Sequence, residues 1–152
     1  MNYSSKVQSQ IVLTFIWIGF VCAISFMEAW LKFRAPGITI PLGLGIGRLV
    51  FAALNKVEWV LAVGIGVSVV LNGIDVKSVL KKYYLFLIPI TLLIVQTVWV
   101  LPQLSLRSEK IIHNVAVEHS NLHFYFVGME LIKIACLFIW GIHLLRDRIY
   151  AK

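Results

Sequence analysis

The sequence predicts an all-α membrane protein, a bundle of four transmembrane helices with a short interfacial helix between the first two spans. Three observations carry this expectation. The 152-residue chain is 60% hydrophobic and its mean hydropathy is +0.89, whereas soluble domains are roughly 45–50% apolar. Its apolar runs approach or reach the roughly 20 residues that a helix needs to cross a bilayer. Most of its charged residues fall between those runs, where they meet head groups. One integral domain over the whole chain fits the length.

Residues 1–10 are short and polar and are expected to be disordered. The first span covers about residues 10–33. It begins like a signal peptide, with Lys6, an apolar core and Ala23-Ile24-Ser25 as a cleavage-like site. Its apolar run exceeds the usual ~7–15-residue core, so an uncleaved helix is expected. On a helix Thr14, Ile18, Val21, Ser25, Glu28 and Lys32 share one face.

Pro36-Gly37 marks a turn, and Pro41 suits the first turn of the next helix. The apolar stretch of about residues 41–55, with Arg48 in its middle, reads as the interfacial helix. Asn55, Lys56 and Glu58 interrupt the pattern before the second span, about residues 57–74. One long tilted helix is the alternative. Gly43, Gly45 and Gly47 lie in GLGIG. A phosphate-cradling loop needs a preceding strand, so close helix packing is the expectation.

Asn72-Gly73 opens a turn, and Asp75, Lys77, Lys81 and Lys82 make a polar loop. The third span follows over about residues 82–101. Pro89 is a candidate kink, Pro89, Leu92, Gln96 and Trp99 share a face, and Pro102 ends the helix. Residues 105–121 form the longest inter-helix loop, with Arg107, Glu109, Lys110, His113, Glu118 and His119.

The fourth span, about residues 121–145, organises the rest. His119, His123, Phe126, Glu130, Lys133, Leu137, Gly141 and Leu144 fall within about 80° of arc. An ionisable residue near the bilayer centre costs about 2.5–3.5 kcal/mol on insertion scales and normally faces protein or a wet cavity. Glu28, Arg48, Gln96, His119, His123, Glu130 and Lys133 are therefore expected to converge on one outward-opening polar pocket. Lys133 should be paired to Glu130, to Glu28, or to both. Such a pair either fixes helix register or belongs to a solute, proton or ion site.

Other chemistries find less support. His119 and His123, four apart, could hold a metal, with Glu118, His113 and Glu28 as further ligands, but no complete metal motif is present. All histidines follow the third span, which disfavours a bis-histidine haem within one chain. No cofactor is called for, and no nucleophile–histidine–acid spacing points to an enzyme. The two cysteines, Cys22 and Cys136, form no CxxC and read as small apolar packing groups. The net charge of +7 is not interleaved with aromatics as a nucleic-acid surface requires. Trp59, Tyr83, Tyr84 and Trp99 read as interface anchors. Counting Lys and Arg in unambiguous loops and tails, the positive-inside rule favours cytoplasmic termini in a plasma or inner membrane.

Residues 19–59, with GFVCAISFMEAWLKFRAPGI and GLGIGRLVFAALNKVEW, followed by ITLLIVQTVWVLP in the third span, have a layout that resembles the transmembrane protein 205-like family and its bacterial relatives of unknown function. The shared marks are a Phe-rich end of span one, Leu49-Val50-Phe51 before span two and Trp99-Val100-Leu101-Pro102. The resemblance implies a small helical membrane protein and assigns no catalytic residue.

The leading functional expectation is a small multi-pass protein whose His/Glu/Lys pocket binds or passes a small solute or ion. The alternative is an accessory or assembly subunit of a membrane complex, its ion pair structural. A metal-dependent membrane enzyme is third. The bilayer is the expected partner, with a homo-oligomer or larger complex beside it.

Overall fold

The computed structural model describes the backbone of residues 3–71 and 76–150 and the side chains of residues 7–71 and 83–149. Four helices make the bundle. Helix α1 covers residues 3–34 and changes pitch along its length: α-helical over Tyr3–Val21, widened into π-type turns over Cys22–Glu28, and tightened at Lys32–Arg34. Helix α2 is Ile40–Val70, α3 covers residues 76–112, and α4 is Leu122–Tyr150. Each is long and apolar enough to cross a bilayer, over Val7–Arg34, Ile40–Val70, Tyr83–Ile112 and Leu122–Ile149. The chain is a small multi-pass membrane protein, all-α among the described residues.

Local chemistry sets the boundaries. The α1–α2 turn passes through Gly37 at φ 80°, a left-handed conformation that glycine adopts without steric penalty. Thr39 caps α2 by accepting from the Leu42 amide at 3.4 Å, and Pro41 sits in the first turn, where its missing N–H costs nothing. Helix α3 ends at Ile112 and is closed by Asn114 at φ 57°. The Val115 amide bonds back to the Lys110 carbonyl at 2.9 Å and that of Asn114 to Ile111 at 3.1 Å, a left-handed C-terminal cap with Asn in the usual place of Gly.

Helix α1 packs against α2 and α4, α3 packs against α4, and residues 101–112 of α3 pack against α2. The core holds Trp17, Ile65, Leu93, Leu137 and Trp140. Aromatic rings close it near one end, with Tyr83 and Trp140 5.0 Å apart and Phe86 and Trp140 6.0 Å apart between centroids. The terminal ends of α1 and α4 meet: Arg148 Nη2 donates to Gln8 Oε1 at 3.4 Å.

Several expectations are corrected. The helix begins at Tyr3, so residues 3–10 are not a disordered tail, and Gln10 is buried. The expected interfacial helix is the first half of α2. Asn55, Lys56 and Glu58 do not break that helix because Asn55 and Glu58 find hydrogen-bond partners on its buried face while Lys56 is exposed. Pro102 does not end α3. The wide turn over Gln96–Val100 directly precedes it, and such a turn relieves the clash between a proline ring and the preceding carbonyls. The loop expected from residue 105 is helical to Ile112. Leu101, Leu104, Ser105, Ser108 and Ile111 point inward there, while Gln103, Leu106, Glu109 and Lys110 point out. Trp99 is exposed and Val100 takes the inward place, as Leu93 does beside the expected Leu92. Tyr83 is a core residue, not an interface anchor. Cys22 is exposed on the outer face of α1, and both cysteines are free. The expected Asn72-Gly73 turn and Asp75 lie outside the described residues, as do the side chains of Lys6, Lys77, Lys81, Lys82 and Lys152.

Candidate functional site: a closed ion cluster and a basic cavity

The residues expected in one pocket fall into two neighbouring places. The first is a closed cluster between helices. Lys133 on α4 is fully buried and directs its three N–H donors at three acceptors: Glu58 Oε1 at 2.5 Å, Gln96 Oε1 at 2.6 Å and Glu130 Oε1 at 3.0 Å. Gln96 turns its amide the other way and donates to Glu130 Oε1 at 2.7 Å. Trp17 on α1 donates its indole N–H to Glu58 Oε1 at 2.8 Å. All four helices thus join one hydrogen-bonded cluster, α2, α3 and α4 at Lys133 and α1 through the Glu58 carboxylate. Glu58 and Lys133 each lie about 5 Å from the midpoint of their helix at 1.5 Å per residue.

The inward stripe of α4 explains why Lys133 is there. Phe126, Glu130, Lys133, Leu137, Gly141 and Leu144 are all buried, as the helical period expects. Gln96 begins the wide turn of α3, a distortion common at functional or strained positions. An ammonium uses up its donors with three bonds, so Lys133 is satisfied. Two carboxylates share that one cation, so a fully ionised cluster carries one excess negative charge. Glu130 Oε2 is buried and accepts no hydrogen bond.

The sequence identified Gln96, Glu130 and Lys133 but placed Glu28 where Glu58 stands. Glu28 instead binds Lys32, one turn further along α1, at 3.0 Å. Glu58 was hidden because it lies beside Asn55 and Lys56 in what reads as a polar break. The signal that reveals it is the helical spacing of Asn55, Glu58, Ala62, Ile65 and Val69, all buried.

The second place is a cavity of about 510 Å³ toward the bundle end opposite the termini, bounded by the end of α1, the first half of α2, residues 97–111 of α3 and His123 of α4. Arg48 and His123 line it, whereas Glu28, Gln96, Glu130 and Lys133 do not. Its wall next to the cluster carries Asn55 and Thr97, whose side chains bond at 2.9 Å; Trp59 donates to the same Thr97 hydroxyl oxygen at 3.0 Å. Thr97 follows Gln96 in sequence and Asn55 precedes Glu58 by one turn. The cavity and the cluster therefore share helix segments without sharing side chains.

Lys32 Nζ lies 5.4 Å from the ring centroids of Phe33 and Phe51. Arg48 lies 3.7 Å from Glu109, whose side chain is half exposed. The glycines make room: a Cβ at Gly43 would lie 2.2 Å from Phe33, and one at Gly47 3.3 Å from Lys32 Nζ. GLGIG is thus a close-packing surface that lets α1 approach α2.

His119 is exposed in the segment before α4, which begins at Leu122. His119 and His123 therefore do not share a helix face. Among the described residues no group of three or more His, Cys, Asp or Glu is placed to hold a metal. No protein-family model, curated protein or solved structure matches the chain.

Proposed function

We propose that this protein is a membrane-embedded binding protein whose cavity receives a small solute carrying both polar and apolar groups. The observation that carries this reading is the cavity itself. At about 510 Å³ it falls within the ~300–1,000 Å³ of small-molecule sites. Its walls combine aromatic and aliphatic side chains with the Asn55–Thr97 pair and several basic groups. The ion cluster beside it is the rigid support, tying the four helices together around Lys133. With cytoplasmic termini in a cell membrane, the cavity belongs to the outer half of the bilayer.

The test is native mass spectrometry of the full chain extracted gently in a neutral detergent. A co-purifying small molecule is expected on the wild type and lost from Ala52→Trp and Ser105→Trp, which fill the cavity from α2 and α3. Wild type and both filled variants with the same set of bound masses would contradict the reading.

A further inference from the structure

The cavity's charge identifies the class of ligand. Its titratable lining residues are Lys32, Arg48, Lys56, Arg107 and His123, with no Asp or Glu among them. Lys32 is compensated by Glu28 and Arg48 by Glu109. Among the described residues, Lys56 and Arg107 have no carboxylate at ion-pair distance. Two positive charges in the lining, one from α2 and one from α3, thus remain uncompensated. A phosphate monoester carries about −1.5 to −2 charges at neutral pH and would neutralise them. Arg107 supplies a fork suited to phosphate oxygens.

Much of the rest of the lining is apolar, including Leu44, Phe51, Leu101, Leu104 and Ile111, beside the polar Asn55, Thr97, Ser105 and Ser108. A free inorganic anion would leave that surface uncovered. The exposed edge of the cavity carries Ala52 and Lys56 of α2 and Pro102 of α3. Arg107 lies about 9 Å along α3 beyond Leu101, where the uninterrupted apolar run ends. On a helix that crosses a bilayer, Lys and Arg side chains beyond the apolar run reach from apolar surroundings toward the lipid head groups. We infer that the cavity takes the phosphate head of a single-chain amphiphile, its ester phosphate between Lys56 and Arg107 and its chain along the apolar wall. This inference rests on the proposed binding role and names its substrate class.

The full chain in a neutral maltoside detergent is titrated with lysophosphatidic acid, with a monoacylglycerol of the same chain, and with inorganic phosphate. Bound mass and melting temperature are read together. Lysophosphatidic acid is expected to bind about tenfold or more tighter than the monoacylglycerol, the size of one charge-assisted hydrogen bond. Inorganic phosphate should produce no comparable shift. Lys56→Gln with Arg107→Gln should lose the preference while keeping the melting temperature of the unliganded protein. Arg107→Lys, which keeps the charge and loses the fork, should retain only part of it, and Arg146→Gln with Arg148→Gln, at the other end of the bundle, all of it.

Equal binding of the monoacylglycerol would overturn the anionic head group while leaving the binding role standing. Equal binding of inorganic phosphate would overturn the amphiphile. A preference unchanged in the Lys56/Arg107 variant would overturn the assignment to these residues. Binding of none of the three would refute the inference, and the binding role falls separately if wild type and the filled variants carry the same masses.

Discussion

Lys133 on α4 bonds Glu58 on α2 at 2.5 Å, across 75 positions of sequence. This contact converts what would be a local pair of Glu130 and Lys133 into an inter-helix tie. Removing one partner of a buried ion pair typically costs about 3–5 kcal/mol, because the other charge is left uncompensated. Glu58→Gln with Glu130→Gln strands the ammonium and is expected to destabilise the protein by about that much. Adding Lys133→Met should recover most of the loss. Reversible unfolding in mixed micelles measures both; a double variant as stable as wild type would refute the tie.

Trp17 tests the same cluster from α1. Its indole N–H donates to an oxygen that also accepts from Lys133. Hydrogen bonds to charged groups contribute about 1.5–3 kcal/mol. Trp17→Phe removes the donor and keeps much of the ring packing, so a loss of about 2 kcal/mol is expected in the same unfolding measurement. An unchanged stability would show that Glu58 does not need this donor.

Thr97 gathers donors from two side chains, Asn55 and Trp59. Thr97→Val keeps the shape and leaves both without this acceptor. Hydrogen bonds between membrane helices average about 0.6 kcal/mol each, so a loss near 1 kcal/mol is expected. Thr97→Ser, which keeps the hydroxyl, should lose less. Equal losses in the two variants would assign the effect to packing.

The fold was largely legible in the sequence, the site only half so. The inward face of α4 follows from helical period alone, because every position from Phe126 to Leu144 on that stripe is buried. The Glu130–Lys133 pair follows from spacing. Glu58 does not, since hydropathy averages Asn55, Lys56 and Glu58 into one polar interruption. A helix separates them by about 100° per residue, so Asn55 meets Thr97 and Glu58 meets Lys133, while Lys56 turns to the exposed edge of the cavity. Glu28 was misplaced for the opposite reason: its depth suited the pocket, but Lys32 one turn away on α1 is the nearer cation. Helical order beyond Pro102 was hidden because the widened turn that accommodates a proline has no mark in sequence.

The contact between Arg148 and Gln8 places both ends of the chain on one side. In a background carrying Cys22→Ala and Cys136→Ala, Gln8→Cys and Arg148→Cys should react with an impermeant maleimide from the same face of sealed vesicles. Val115→Cys, between α3 and α4, should react from the other. Labelling of Gln8→Cys and Arg148→Cys from opposite faces would contradict an even number of spans.

The cavity binds while the ion cluster supports. This division of roles is tested most directly by the melting-temperature shift with lysophosphatidic acid, measured for wild type, Glu130→Gln and Ala52→Trp, each against its own unliganded baseline. The shift is expected to persist in Glu130→Gln, whose side chain is outside the cavity, and to vanish in Ala52→Trp. A shift lost in Glu130→Gln and retained in Ala52→Trp would place binding at the cluster and contradict the account.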